Sequence, residues 1–534
     1  MSAVRVRFAP SPTGNVHIGN IRAAIFNWLF ARHEDGTFLL RVEDTDRERS
    51  TPEAIANLLS VMEWLGLGYD EQPLYQSTQE KEHLAAARQL IDAGKAYLSA
   101  KNEEGRQAVI FRIPWDTAEC PAVSSAGPAT IQVHPDVPVQ IVANGVNYAQ
   151  VSKKGKPIPA AACLAGFKDL EILDESNHCI FRLNNHIAGV LDNDRSFEVD
   201  NAAQFRFTRR QVHFHDLVKG TLAKPLDSMK DLVIVRSDSS PVFHLANVCD
   251  DSTQGITHII RGDDHVENTY RHILLYYALG KTPPTYAHLP MIVNDQGKPY
   301  SKRDGDAFVG DFRDKGYLPH ALFNYLTLLG WSPGDDREKL SREELIQLFS
   351  LERVQSAAAR MDLKKLDNLN GQYMAELPFD EFLNTCRTFA ETCDWFDADA
   401  MDTDYFASVA ELLHTRTKRF TDVCEWDYFF REIPDYDEKA CGKFFKKLEV
   451  RAALTDLAVS LKNLSTFTPE TIERAVHAAT EKHDIKHGKL NQPLRVAVTG
   501  RTTGAGIYET IALLGPRRTE TRITHASNTY FGEI

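Results

Sequence analysis

Apolar and polar residues alternate at the start of the chain, with Val4, Val6 and Phe8 flanking Arg5 and Arg7, which predicts a short strand. Pro10, Pro12, Thr13 and Gly14 break it. Apolar residues then recur at Ile18, Ile21, Ile25, Trp28 and Leu29, the spacing of a helix over 18–31. A second strand over 38–42 follows, and Thr51 and Pro52 supply an N-cap and a first-turn proline to a helix with Ile55, Leu58, Leu59, Met62 and Leu65 on one face. Strands alternating with helices predict a parallel sheet covered by helices, whose ligands gather at the carboxyl ends of the strands.

From about 99 to 206 the pattern changes to short β-like runs (109–113, 130–133, 139–142 and 179–183) separated by Gly, Pro and Asn, and the α/β pattern resumes at 231–236. This reads as an insertion between two halves of one nucleotide fold. A strand ending at Val248 precedes Asp250 and Asp251, which read as a turn near the site, and an apolar run over 289–293 precedes a polar, cationic loop. After Gly305 the chain turns helical, over 318–329, 342–349 and further amphipathic segments to Leu464. The glycine fingerprint of dinucleotide enzymes and the Gly-x-x-x-x-Gly-Lys phosphate loop are both absent, and Gly500 to Gly506 reads as a turn because it lacks the lysine.

A length of 534 residues predicts three to five domains at about 150 residues each. No run approaches the ~18 apolar residues of a membrane span, and the charged first strand leaves no signal-peptide core, so a cytoplasmic protein is expected. The eight cysteines (120, 163, 179, 249, 386, 393, 424 and 441) show no tight pairs, and buried thiols are expected rather than disulfides. A net charge of −13 argues against a protein that coats nucleic acid non-specifically. Local basic clusters exist at Arg206, Arg209 and Arg210, at Arg416, Lys418 and Arg419, and at Lys443, Lys446, Lys447 and Arg451.

The first turn lies between a strand's carboxyl end and a helix's amino end, where free N–H groups and the helix dipole favour a phosphate. His17 and Gly19 place an imidazole and a bare Cα there. Far downstream, Pro299-Tyr300-Ser301-Lys302-Arg303-Asp304-Gly305 supplies a cationic, glycine-containing loop. Together with Arg-Phe-Ala-Pro-Ser-Pro-Thr-Gly at 7–14, Arg41-Val42-Glu43-Asp44-Thr45-Asp46 and Val248-Cys249-Asp250-Asp251, these segments closely resemble the glutamyl-tRNA synthetases, class I aminoacyl-tRNA synthetases of bacterial type.

That resemblance implies an α/β Rossmann-like nucleotide-binding domain with an inserted α+β acceptor-binding domain, followed by an all-α anticodon-binding region. The implied division is a first catalytic half at 1–98, an insertion at 99–230 whose middle (about 115–205) matches nothing in the family, a second half with the signature loop at 231–310, a stem-contact domain at 311–375 and an anticodon-binding domain at 376–534. Glutamate would be activated with ATP and Mg²⁺ and transferred to the end of tRNA(Glu) by a monomer, with tRNA(Gln) left open as a second acceptor and tRNA needed before activation. In catalysis the resemblance assigns His17, Ser301, Lys302 and Arg303, and at ATP Thr13, Gly14, His17, Gly19, Asp264 and Lys302. A carboxylate is best held by a guanidinium fork; the resemblance places Arg7 and Arg261 on that of glutamate, Glu43 on its ammonium, and Ala9, Ser11, Phe243 and Asn247 beside it. Two residues depart from the family: Pro299 replaces a lysine, with Lys298 one position earlier, and Phe243 replaces a tyrosine. His213 and His215 read as a structural pair, and Cys120, Cys163 and Cys179 lack zinc-ligand spacing, so no structural zinc is expected. A glutaminyl-tRNA synthetase, opposed by Arg261 and the helical end, and a non-catalytic tRNA-binding paralogue are the alternatives.

Overall fold

The computed structural model describes residues 3–531 apart from 13, 47–48, 119, 193–194, 400 and 487, and the side chain of residue 192 is also outside the description. Two compact units are present, one formed by 1–310 with 326–361 and the other by 311–325 with 362–534.

In the first unit the alternating segment forms strand Arg5–Phe8, followed by helix Ile18–His33 and strand Thr37–Val42. The two strands pair in parallel, and Leu74–Tyr75 adds a third parallel strand. Helix Pro52–Trp64 starts where Thr51 accepts from the Ala54 N–H, as its sequence predicts. On the other side, the Thr257 N–H donates to the Arg5 carbonyl at 2.9 Å. This brings in strand His258–Gly262, which pairs in parallel with Thr285–Leu289. The result is a Rossmann-like arrangement in which parallel strands from either side of the insertion lie side by side.

The insertion has its own core, built from Val139, Ile141, Val146, Phe167, Phe205 and their neighbours. Strands Phe197–Val199, Val139–Val142, Gly145–Val151 and Pro157–Ala162 form an antiparallel sheet. The 13-residue strand Gln204–Asp216 pairs with Val123–Gln132, Phe167–Leu173 and Gly220–Pro225. The basic cluster on that strand turns out to be occupied internally. Arg206 bonds Glu171, Arg209 bonds Asp227 at 2.9 Å, and buried Arg210 donates to the Trp115 and Ala165 carbonyls.

The segment read as a strand ending at Val248 is instead helix Phe243–Thr253. A short apolar run does not distinguish the two states by itself. In the helix Asp250 and Asp251 are buried rather than exposed in a turn. Asp251 Oδ1 accepts from Arg7 Nε at 3.0 Å and from Arg41 Nη1 at 2.5 Å, and Asp250 accepts from His83 at 2.6 Å and from Gln76 at 2.7 Å. The Asn247 amide is oriented to donate to Asp251 Oδ2 (3.2 Å) and to accept from Arg41 Nη2 (2.9 Å). Burial would raise the Asp251 pKa, but Arg41 and Arg7 outweigh it and hold the carboxyl below its ordinary value.

The second unit is built largely of helices, among them Phe379–Ala390, Thr403–Leu413, Leu448–Lys462, Pro469–Lys482 and Ile507–Thr529, around a core that includes Phe382, Phe406, Leu454 and Ile523. Against the expectation of thiols only, Cys393 and Cys424 form a disulfide across 31 positions. Helix Asn491–Thr499 ends at Gly500, whose φ of 73° is the left-handed C-cap conformation. A Cβ there would run into the Asp435 carbonyl. Gly500 to Gly506 is a turn between two helices, as read from its missing lysine. No helix among the described residues is long and apolar enough to cross a membrane.

Two stability predictions follow from these contacts. Asp251→Ala leaves two buried guanidinium groups short of their shared anion and is expected to cost about 3–5 kcal/mol in urea denaturation at pH 7. Because the folded pKa of Asp251 lies below an unfolded value of ~3.9, its contribution is complete above that value and is lost as pH falls through the folded pKa. The variant's stability should therefore fall less steeply in acid, and equal stabilities at pH 7 would refute the role. Gly500→Ala combines a strained φ with a backbone clash and should cost about 2–4 kcal/mol, read as an earlier thermal transition of the full-length protein.

Candidate active site

Helix Ile18–His33 begins at His17, whose Nδ1 accepts from the Gly19 N–H at 3.1 Å. A neutral ring bonded in this way carries its proton on Nε2, which makes that nitrogen a donor. Burial pushes the His17 pKa below its ordinary value, against an opposing hydrogen bond with the Tyr300 backbone. A Cβ on Gly19 would stand 3.3 Å from His17 Nδ1, so the bare Cα preserves the cap itself as well as leaving room above it.

The signature loop is tied to this helix start through the residues after it. Ile18 N donates to the Ala307 carbonyl (2.9 Å) and Val309 N to the Val16 carbonyl (3.0 Å). The Phe308 ring meets His17 edge-on at 6.1 Å, and Lys302 Nζ lies 5.8 Å from the same ring. Asp304 holds the loop's turn: its Oδ2 accepts from Ser301 N and Oγ, both at 2.9 Å, and its Oδ1 from Asn294 at 2.7 Å. Lys302 and Arg303 are exposed. Lys298 is exposed too, its backbone N–H bonded to Asn294 Oδ1 at 3.0 Å, while Pro299 lines the neighbouring cavity.

That cavity, about 700 Å³, opens at the carboxyl ends of strands Arg5–Phe8 and His258–Gly262. Of the sequence-predicted residues it gathers Arg7, Ala9 and Ser11 from the first strand and turn, His17 and Gly19 from the helix start, and Glu43 after the second strand. From the second half come Phe243, Asn247, Arg261 and Asp264. Gly14, Ser301, Lys302 and Arg303 do not line it, and Thr13 lies outside the described residues.

Three ionised groups sit in distinct environments. Arg7 is bound to Asp251, as above. Glu43 is buried against Arg41, 3.3 Å from Nη2, and burial outweighs Arg41 and Arg7 to push its carboxyl above the ordinary value. Arg261, also buried, donates from Nη2 to Thr269 Oγ1 at 2.6 Å and from Nε to His288 Nε2 at 3.3 Å. Among the described residues no carboxylate forms an ion pair with it, and burial lowers its pKa. A buried cation without a protein anion is a site for an anionic ligand.

Sequence reasoning missed Arg22, which lines the cavity from inside the first helix and donates to the Leu329 carbonyl at 2.9 Å and to that of Pro290. Burial brings its pKa down to about 10, opposed by Asp263. Its signal was available: an arginine one position after Ile21, on a largely buried helix, needs a reason to be there. Also missed were His244 and His272, which with His265 surround the Phe243 ring, His244 Nδ1 and His272 Nε2 lying 3.1 Å apart. His213 and His215 face Ser124 (3.3 Å) and Thr221 (3.5 Å) separately.

Comparison with known proteins agrees with this geometry. The family described as tRNA synthetases class I (E and Q), catalytic domain, matches residues 3–108 and 193–368, and an anticodon binding domain matches 381–527. A glutamate–tRNA ligase of Thermoanaerobacter pseudethanolicus is 34% identical over 530 residues, 98% of each chain. One of Xanthomonas campestris is 37% identical over 512 residues, 96% of each chain. The crystal structure of a glutamate tRNA ligase from Elizabethkingia meningosepticum, in complex with its amino acid, superposes with a TM-score of 0.68 at 25% identity, covering 99% of this chain and all of that one. With its nucleotide-type sheet, its histidine-capped helix and these matches along nearly its whole length, the chain belongs to the class I tRNA synthetases of the glutamate and glutamine group.

Proposed function

We propose that the protein is a glutamate–tRNA ligase in which Arg7 and Arg261 hold the side-chain carboxylate of L-glutamate. The observation that carries this reading is Arg261, a buried guanidinium that forms no ion pair with a carboxylate among the described residues and lines the same cavity as Arg7. A carboxylate is favoured over a neutral amide there, because the amide would leave the buried Arg261 charge uncompensated. Glu43 receives the α-ammonium, with Asn247, Ser11, Ala9 and Phe243 shaping the pocket.

The α-carboxylate oxygen attacks the α-phosphorus of ATP, and the bond to pyrophosphate breaks. A terminal ribose hydroxyl of tRNA(Glu) then attacks the glutamyl carbonyl, giving up its proton and releasing AMP. Such transfer needs positioning and charge neutralisation from the protein. His17 donates to the phosphates at the helix mouth beside Gly14 and Gly19, and Asp264 contacts the nucleotide. Lys302, with Ser301 and Arg303, moves onto the charge developing on pyrophosphate. Lys302 rather than Lys298 takes this role, because it is the lysine that approaches the Phe308 ring beside His17. Mg²⁺ accompanies ATP as its counter-ion. The insertion at 99–230 receives the acceptor end, 311–375 contacts the stem, and 376–534 reads the anticodon; the enzyme works as a cytoplasmic monomer.

Charging of total tRNA with labelled glutamate and, separately, glutamine tests the reading: glutamate alone should be incorporated, and preference for glutamine would reject it. Arg261→Ala should raise the glutamate KM about a hundredfold, leaving that for ATP within about twofold, since it removes a charge-assisted, buried contact. Lys302→Ala should lower kcat by about 10²-fold with little change in glutamate binding, the pattern of an interaction made in the transition state. These assays include tRNA, because ATP–pyrophosphate exchange is expected to stay near background without it.

A further inference from the structure

Arg261 depends for its orientation on groups that contact neither substrate nor nucleotide in the reading above. Strand Gln204–Asp216 ends at a fully buried aspartate in parallel register with Tyr286, on the strand that also carries His288. Asp216 Oδ1 accepts from the N–H groups of Val218 (2.9 Å) and Lys219 (2.8 Å). Its Oδ2 accepts from the His288 N–H (3.1 Å) and from His288 Nδ1 (2.6 Å). Burial would raise the Asp216 pKa, but His288 and those backbone donors keep the carboxyl below its ordinary value, so it acts as an acceptor only. The proton of a neutral His288 therefore sits on Nδ1, and Nε2 presents a lone pair.

That lone pair faces Arg261. Residues 261 and 288 are register partners on adjacent parallel strands, and Arg261 Nε lies 3.3 Å from His288 Nε2. Thr269 Oγ1, 3.0 Å from the same nitrogen, accepts from Arg261 Nη2 at 2.6 Å. Two guanidinium nitrogens are thus held from behind, and Nη1 keeps no protein partner among the described residues. The opposite tautomer would set an N–H against the guanidinium donors, so the aspartate decides whether the histidine attracts the arginine or repels it. A histidine that orients a functional group through one nitrogen while a carboxylate fixes the other recurs at catalytic and metal sites.

We infer that Asp216 and His288 form a positioning pair that sets the tautomer facing Arg261 and so presents its guanidinium to the substrate's side-chain carboxylate. The inference rests on the assignment of Arg261 to glutamate. It adds a specificity device: Arg261, which forms no ion pair among the described residues, is aimed by the Asp216 carboxylate through the intervening histidine.

The test uses the full-length enzyme with tRNA present and measures KM for glutamate, KM for ATP and kcat. His288→Leu removes the acceptor at similar volume and should raise the glutamate KM about tenfold, with the ATP KM within about twofold. His288→Gln retains a carboxamide that can donate to Asp216 and accept from Arg261, and should restore the glutamate KM to within about threefold of the parent. Asp216→Asn releases the tautomer with the ring in place and should raise the glutamate KM without moving that for ATP, which keeps the test available if the leucine variant does not fold. A unchanged glutamate KM in Asp216→Asn and His288→Leu, while Arg261→Ala is impaired, overturns the positioning pair. So does an equal rise in both KM values, the mark of a merely structural role. An unchanged glutamate KM in Arg261→Ala overturns instead the reading on which the pair rests.

Discussion

The carboxylate of Asp251 joins parts of the catalytic unit that are far apart in the chain. It sits on helix Phe243–Thr253, beyond the insertion, and binds Arg7 on the first strand and Arg41 on the second. Burying any one of these charges alone would be costly, and the cost falls only when all are brought together with good geometry. Burial by itself would lower the Arg41 pKa, and the charges of Asp251, Glu43 and Asp250 more than reverse this, so the guanidinium stays ionised. This ion network and the Thr257–Arg5 backbone bond tie together chain segments that lie on either side of the inserted strands.

The same network creates an asymmetry in the cavity. Arg7 shares its charge with Asp251, whereas among the described residues Arg261 is held by neutral groups, His288, Thr269 and the His265 carbonyl. Both are buried, but only Arg261 lacks a protein anion among the described residues. Under the proposed function, a substrate carboxylate would complete an interaction that the fold leaves incomplete, a source of selectivity as well as affinity. At the other end of the cavity the requirement differs. His17 is held in one tautomer by the Gly19 N–H at the helix start, while the cationic loop stays exposed around a turn fixed by Asp304. A rigid donor and an exposed lysine suit a reaction in which charge moves onto a leaving group.

The long strand Gln204–Asp216 shows how one element serves two purposes. Its first part builds the insertion's sheets, consuming Arg206 and Arg209 in ion pairs, and its last residue reaches the strand behind the candidate pocket. Arg206 and Arg209 are therefore tied into the insertion's own structure, Arg206 while staying exposed. Arg416 is likewise exposed, in the helical unit.

Local pattern alone determined the first strand, the helix after it, the Thr51 cap and the turn over 500–506, because each depends on neighbours a few residues away. The family resemblance, rather than local pattern, pointed to Arg7, His17, Glu43, Asn247 and Arg261 among the residues that line the cavity, at strand ends and helix starts where ligands collect. Tertiary structure decided the rest. The run before Asp250 is apolar enough for either a strand or a helix, and its packing made it a helix. Cys393 and Cys424 meet across 31 positions, and Asp216 meets His288 across 72, at separations that carry no local signal. Whether an arginine is a ligand site or an ion-paired strut depends on which carboxylates the fold brings within about 4 Å of it. For Arg7, Arg206 and Arg261 that is a property of the packed chain, because the partners that decide it come from other elements.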